Sequence, residues 1–463
     1  MKKVQSSNHM VIKVGVVAAF AGLLFGLDIA YVNGSLKFIV QEFNLSVEDS
    51  GKVAGYLLAG AAFGALFSGW ISRKYGRKFV LVFAAALFTF ATIFTVLVHS
   101  FSLFLMARFI MGLAVGIASF VAPLYLSEIA PFKIRGSLIA MYQLMITIGI
   151  FLMFVSNAIL ESTGSWRIML IVLLIPSVVM LLSTLKLPES PRWFVLNGDL
   201  AKARNVLEYI RSNKDEIDFE LNEIKETLQN ENSLSAILTK GYFIKILILG
   251  VLLQCLQQFS GMNAFMYYSG KIFESAGFTN SSTVTVIIGL TNVLTTLIAI
   301  KFVDKIGRKP ILYFGLLILL IACAIIGYLF MMQSNGVQLT AIEQYILLIC
   351  SLLFIFGFAV SLGPIIWMLC AEIFPLEGRD FGITVTTMAN WIFNTLIGGY
   401  TLILFKKLGI GQTFWLFDLV YILGFVLIYF FTPETKNVPL EEIELNLKSG
   451  LPLAQIGKRN HHN

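Results

Sequence analysis

GWISRKYGRK at residues 69–78 returns as IKFVDKIGRK at residues 300–309, and that pairing decides how the rest of the chain is read. SEIAPFKIRG at 127–136 returns likewise as AEIFPLEGRD at 371–380, and PESPR at 188–192 is echoed by PETK at 433–436. The three pairs keep their order and a similar offset, the mark of an internal duplication. Each GRK stands between two long apolar runs. Of the 463 residues, 57% are apolar and 13% charged, and the mean hydropathy of +0.82 lies outside the range of water-soluble globular chains.

Twelve apolar runs approach the roughly 20 helical residues needed to cross a bilayer core of about 30 Å. Six lie at Val11–Leu36, Val53–Ile71, Phe79–Val98, Leu103–Tyr125, Ser137–Ile159 and Ile168–Leu187. Six more lie at Tyr242–Tyr268, Thr283–Val303, Ile311–Met332, Ile342–Met368, Ile383–Leu404 and Phe414–Phe431. The expected fold class is an all-α integral membrane protein of twelve transmembrane helices in two pseudo-symmetric six-helix bundles. The bundles are expected at 1–187 and 242–432, joined by a cytosolic helical linker at 188–241 and followed by a cytosolic tail at 433–463. The first run follows a short basic start, MKK, but is longer than the apolar part of a signal peptide and shows no cleavage site, so it reads as a span. In the linker, Leu200, Ala203, Val206, Leu207 and Ile210, then Ile217, Leu221, Ile224 and Leu228, recur at helical spacing.

The net charge of +7 carries no nucleic-acid reading, because the Lys and Arg residues lie between apolar runs instead of forming a patch. They crowd the N-terminus, alternate connections and the C-terminus, leaving Lys37, Lys52, Arg167, Lys271, Lys406 and Lys407 on the other side. Basic connections stay in the cytoplasm, so both termini are expected there. Cys255, Cys323, Cys350 and Cys370 show no CxxC spacing and read as small core residues. His9, His99, His461 and His462 stand outside the apolar runs, which argues against histidine-based catalysis or a metal site. No GxxxxGK[ST] phosphate loop occurs, and no nucleophile and base are set together. The reading is therefore of a protein that is no enzyme and needs no cofactor.

An ionised side chain at mid-bilayer costs about 2.5–3.5 kcal/mol on insertion scales, so it should be rare and partnered. In AGLLFGLDIAYVNG at 21–34, Asp28 lies in the middle of the first run, and Arg108, in ARFIMGLAVG at 107–116, lies near one end of the fourth. Burial favours the neutral acid and a neighbouring guanidinium favours the carboxylate, so movement of the arginine between conformations would load and unload a proton. A permanent salt bridge fixing two helices fits the same two residues. Asp418, a few residues into the last run, reads as a snorkelling or helix-start acid near the external surface, with a second proton site as the alternative.

Carboxamides, which both donate and accept, together with aromatic walls suit an uncharged polyhydroxyl solute with apolar C–H faces. Gln143 lies in the fifth run, Gln257, Gln258 and Asn263 in the seventh, Asn292 in the eighth, and Asn390, Trp391 and Asn394 in the eleventh. On an ideal helix Gln257 and Asn263 are about 120° apart, so they converge only where the Ser260–Gly261 step unwinds the helix. Gly363–Pro364, before Trp367, offers a similar break in the tenth run. Each Gln or Asn taken singly serves equally well as interhelical glue. The pairs Gly22/Gly26, Gly60/Gly64 and Gly112/Gly116 are spaced for close helix contact. Glu128, Arg135, Glu189, Arg192, Glu372, Arg379 and Glu434 flank the cytosolic ends of runs, where charge networks hold one conformation and break in another, a gating role.

GRK at 76–78 and 307–309, PLYLSEIAP at 123–131, PESPR, QQFSGMN at 257–263, GPIIW at 363–367 and PETK span almost the whole chain. In these motifs the sequence resembles the major facilitator superfamily, and within it the sugar porters. APLYLSEIAPFKIRGSLIAMYQLMITIGI and LLQCLQQFSGMNAFMYY are similar to the bacterial hexose/proton symporters, the galactose carriers above all. The short first external connection, about Gln41 to Lys52, also resembles the bacterial members more than the animal glucose facilitators. The resemblance implies proton-coupled uptake of a hexose by alternating access, D-galactose first, with glucose or pentoses also open. The implied partners are a small sugar and the lipid bilayer, with no nucleic acid and no obligate protein. The implied location is the bacterial inner membrane, and the proton is the coupling ion.

The resemblance also implies roles for residues. Symporters keep an Asp at the position of Asp28, where facilitative relatives carry a neutral residue, so Asp28 with Arg108 is implied in proton coupling. The matching sugar contacts are Phe25, Gln143, Gln257, Gln258, Asn263, Tyr267, Asn292, Gly363, Trp367, Asn390 and Trp391; at Asn390 some relatives carry Gln. Gly76, Arg77, Asp304, Gly307 and Arg308 belong to the motif that locks the cytosolic side. Arg73 stands where the wider superfamily has Asp in the first copy, so the lock of the N-terminal half is expected to be weaker or differently built. The competing readings are a facilitative uniporter, separated by whether Asp28 titrates, and a transporter-like sugar sensor, which often adds long cytosolic tails.

Overall fold

The computed structural model describes residues 2–130, 135–211, 213–229, 237–375 and 378–458. Among these residues the regular structure is helical, with no strand, and twelve helical stretches are long and apolar enough to cross a membrane. Spans 1 to 6 are Val14–Phe43, Val47–Tyr75, Arg77–Leu97, Phe101–Ile129, Met141–Thr163 and Trp166–Thr184. Spans 7 to 12 are Gly241–Ser275, Ser281–Phe302, Arg308–Ser334, Ala341–Glu372, Phe381–Lys407 and Ile410–Phe430.

Several spans outrun the apolar windows because polar residues cap them. The first external connection is the clearest correction: the expected loop at about 41–52 shrinks to residues 44–46. Asn44 turns the chain at φ 49°. The Ser46 side chain then accepts the Asp49 backbone N–H at 3.0 Å, and Glu48 and Asp49 fill the positive first turn of span 2. Among the described residues between spans 6 and 7 are the helices Pro191–Leu196, Leu200–Ile210 and Lys214–Gln229. The second buries Ala203, Leu207 and Ile210.

Packing follows the duplication. Span 1 lies along span 5 and span 2 along span 4; in the second half span 7 lies along span 11 and span 8 along span 10. The halves meet through span 2 on span 11 and span 5 on span 8, which are the same contact related by the repeat. Lipid tails are as apolar as the helices, so association rests on close van der Waals approach. The paired glycines supply it. An added Cβ would lie 1.9 Å from the Leu57 carbonyl at Gly112, 2.1 Å from Ala61 O at Gly116, 2.1 Å from Phe109 O at Gly60 and 2.0 Å from Ile146 O at Gly26.

A side chain at Gly112 has only backbone to displace, so Gly112→Val is expected to cost about 1–3 kcal/mol or more by overpacking. The melting midpoint of purified protein in detergent should fall clearly. Gly241→Ala, where nothing lies within 4 Å of the new carbon, should leave it unchanged.

Candidate functional site

Asp28 and Arg108 meet in the interior. Asp28 is 1% exposed and Arg108 0%. Nη1 of Arg108 donates to Oδ1 of Asp28 at 2.5 Å and Nη2 to Oδ2 at 3.4 Å. The guanidinium also reaches the Val53 carbonyl through Nε at 3.4 Å and stands 5.4 Å from the centre of the Tyr31 ring. Span 1 also packs directly on span 4, which makes the helices carrying the pair neighbours. Phe25, three residues before Asp28 and so on the same helix face, sets its ring 5.1 Å from that of Trp391 in span 11. The charge pair of the first half thus stands one helical turn from Phe25, whose ring meets the second half at Trp391.

That cluster is built on two broken helices. Span 7 stops at Phe259 and restarts at Met262, with Gly261 in the left-handed region at φ +80°. The break brings Asn263 back to Gln258, Nδ2 to Oε1 2.7 Å. Gln258 donates to Oδ1 of Asn390 at 3.0 Å, and Asn390 donates to Oε1 of Gln257 at 2.7 Å and of Gln254 at 2.6 Å. Gln257 donates in turn to the carbonyls of Leu362 and Gly363 at 2.9 and 3.0 Å. Span 10 breaks at Ser361, two residues before the expected Gly363–Pro364 step. The proline ring clashes with the carbonyl four residues back, that of Val360, and is tolerated within the first turn of a new helix. The interruption therefore precedes Pro364.

Of the sequence-derived sugar contacts, the structure joins Gln257, Gln258, Asn263, Gly363 and Asn390 in one bonded network. Phe25 and Trp391 stack beside one another, and Tyr267 reaches Oδ1 of Asn394 at 3.5 Å. Gln143, Asn292 and Trp367 stand outside these bonds; Asn292 is buried, while Trp367 is 38% exposed. Two members were missed. Gln254 meets the same carboxamide-in-a-span criterion, one turn before Gln257, but lies outside the motif. Asn33 bridges the halves, donating to the Met266 carbonyl at 2.9 Å and to Oγ of Ser269 at 2.8 Å.

At the GRK end the repeat is also chemical. Arg77 grips Glu128 through two bonds of 2.9 Å, and Arg308 grips Glu372 at 3.3 and 2.7 Å. Glu189 accepts the backbone N–H groups of Arg77 at 2.8 Å and Lys78 at 3.1 Å. Glu434 accepts those of Arg308 at 3.0 Å and Lys309 at 2.9 Å. Each glutamate thus neutralises a helix N-terminus. Gly76 and Gly307, at φ 97° and 114°, make room: a Cβ on Gly76 would lie 2.2 Å from Oε2 of Glu189 and one on Gly307 3.0 Å from Oε2 of Glu434. Burial pushes the Glu189 carboxyl up from its ordinary range against these donors. Arg379 caps the Phe374 carbonyl, and Arg192 is half-buried in the helix Pro191–Leu196. The side chains of Arg135 and Asp304 lie outside the described residues.

These bonds each stay within one half. At the opposite end they cross: Lys37 pairs with Glu161, which also accepts from Ser282 of span 8, and Lys406 of span 11 pairs with Glu48 of span 2 at 3.0 Å. The end away from the GRK motifs is fastened across the halves.

Asp418 requires a correction. It lies more than two turns inside the helix Ile410–Phe430 and is 9% exposed, with Oδ1 enclosed and unbonded. It is a packed interior residue instead of a helix-start acid.

Two halves of six spans, a polar site on broken helices between them and an enclosed acid beside it define a membrane carrier, and the comparisons agree. The family model described as Sugar (and other) transporter matches residues 14–447. The chain belongs to this family of sugar transporters. It is 46% identical over 460 residues to the galactose-proton symporter of Escherichia coli strain K12, covering 98% of each chain. To the arabinose-proton symporter of the same strain it is 41% identical over 460 residues, covering 98% of this chain and 97% of that one. The inward open conformation of the xylose transporter XylE from E. coli is 28% identical, with a TM-score of 0.81 over 94% of this chain and 99% of that one. The major facilitator fold and the sugar-porter assignment expected from the motifs both hold.

Replacing Glu189 by Ala removes the acceptor for two helix-terminal N–H groups, and the same change at Glu434 does so in the other half. Each is expected to lower stability by about 1–3 kcal/mol, and Glu→Gln by less. Thermal melts of the four variants in detergent test this, and a null effect at both sites would refute the capping assignment.

Proposed function

We propose that the chain is a proton-coupled hexose symporter of the bacterial inner membrane, with D-galactose as its first substrate and both termini in the cytoplasm. The proton is the coupling ion, and no cofactor or protein partner is required. The observation that carries this reading is the enclosed Asp28–Arg108 pair one turn from Phe25, whose ring meets Trp391 at the edge of the carboxamide network.

Sugar enters against Gln257, Gln258, Asn263 and Asn390, whose amides exchange bonds with one another for bonds with hydroxyls. Phe25 and Trp391 cover a C–H face, and Tyr267, Gly363, Gln143, Asn292 and Trp367 complete the site as the halves close. Ionised Asp28 is tolerable in the interior while Arg108 holds it; protonated, it is neutral and releases the guanidinium. The loaded carrier then rearranges without a bare carboxylate in hydrocarbon. Opening outward breaks the bonds from Ser282 to Glu161 and from Lys406 to Glu48. The charge networks around Arg77, Arg308, Glu189 and Glu434 are each intact within one half here, and they close the GRK end in the outward form only by exchanging partners across the halves. One charge moving through 100 mV is worth about 2.3 kcal/mol, enough for roughly a fifty-fold sugar gradient. The curated relatives, named for galactose–proton and arabinose–proton symport, support the substrate class.

In proteoliposomes with an imposed inward proton gradient, wild type should concentrate galactose, and Asp28→Asn should only equilibrate or exchange it. Concentration by the mutant would remove Asp28 from the coupling step. Failure of wild type to concentrate sugar, with downhill flux intact, would identify a uniporter. Asn390→Ala strands Gln254, Gln257 and Gln258, and should weaken sugar affinity about 5- to 100-fold in equilibrium exchange.

A further inference from the structure

We propose that Asp418 is a second proton-binding site, held as the neutral acid beside the hinge of span 7. Among the described residues the other deeply buried carboxylates of the spans have a guanidinium partner: Asp28 has Arg108 and Glu128 has Arg77. Asp418 has none. Its Oδ1 is enclosed and accepts no hydrogen bond, and the residue lies over two turns from the start of its helix.

The surroundings tie this acid to a moving part. The preceding residue, Phe417, packs its ring on the break in span 7, where a Cβ on Gly261 would lie 2.5 Å away. Tyr421, three residues on, donates its hydroxyl to the Ser260 carbonyl freed at that break, at 2.5 Å, and stands 3.5 Å from Sγ of Cys323 in span 9. The titratable groups within electrostatic reach of Asp418 are Cys323 and Tyr421, with Cys350 of span 10 beyond Cys323. Among the described residues, no charged side chain from spans 7, 9, 10 or 11 bears on it. A hard metal cation needs several oxygen ligands, and no cluster of three or more His, Cys, Asp or Glu residues occurs among the described residues. An isolated carboxylate at this depth is costly, and a proton removes the cost. Deprotonation places a negative charge beside the hinge, so the carrier slows at alkaline pH by a route separate from the coupling pair.

Infrared spectroscopy of full-length protein in lipid reads the protonated carboxyl directly. At neutral pH, Asp28→Asn should keep a buried carboxylic-acid carbonyl band that disappears on alkaline titration, and Asp28→Asn/Asp418→Asn should lack it. Absence of a titrating acid band from Asp28→Asn overturns the proposal whether or not the double variant folds, and so does its undiminished persistence in Asp28→Asn/Asp418→Asn. Galactose counterflow, which rests on the sugar-carrier reading, gives a second measure. The alkaline loss of counterflow in Asp28→Asn should vanish in Asp28→Asn/Asp418→Asn, and an unchanged pH profile contradicts the role at the hinge. If no variant exchanges sugar, the carrier reading fails while the infrared result still decides the proton site.

Discussion

An acid and a guanidinium placed in hydrocarbon must find each other, and the N-terminal half is arranged so that they do. Asp28 stands on span 1 and Arg108 on span 4, helices that pack against each other. A buried pair of this kind adds little net stability, because desolvating two charges offsets their attraction. Breaking it is another matter, for it leaves an uncompensated charge. A proton is the smallest ligand that permits the break, which is why the proposed coupling is placed on this pair.

The second half meets a different demand. Spans 7 and 10 are interrupted inside the membrane, and interrupted backbone needs partners that lipid cannot offer. Gln257 supplies them to Leu362 and Gly363, and Tyr421 does so for Ser260. Side chains that satisfy backbone carbonyls also suit hydroxyls, so the groups that keep the broken helices tolerable are chemically suited to the proposed sugar site. Phe25 against Trp391 joins the two halves of the logic.

Much of this was legible before any coordinates. Hydropathy places the spans because a bilayer imposes one length, and the recurrence of GRK and PES/PET announces the duplication. The structure adds the reason the motifs travel together: Glu189 and Glu434 cap the helices that begin at Arg77 and Arg308, and the glycines before them leave room. Less was legible where partners come from distant segments. Lys37, Glu161 and Ser282 converge from three spans, and nothing local marks them as a fastening. The break in span 10 was displaced because a proline acts on the residue four positions back. Asp418 was misjudged since its depth depends on where the helix starts, at Ile410, and its burial depends on the packing of span 12 against span 9.

The central claim is that sugar and proton move together through Asp28. The most direct measurement is the pH of a weakly buffered suspension of reconstituted vesicles when galactose is added without any imposed gradient. Wild type should alkalinise the outside as sugar enters, and Asp28→Asn should admit or exchange sugar with no pH change. Sugar entry through wild type without alkalinisation, or equal alkalinisation by the mutant, would contradict the account.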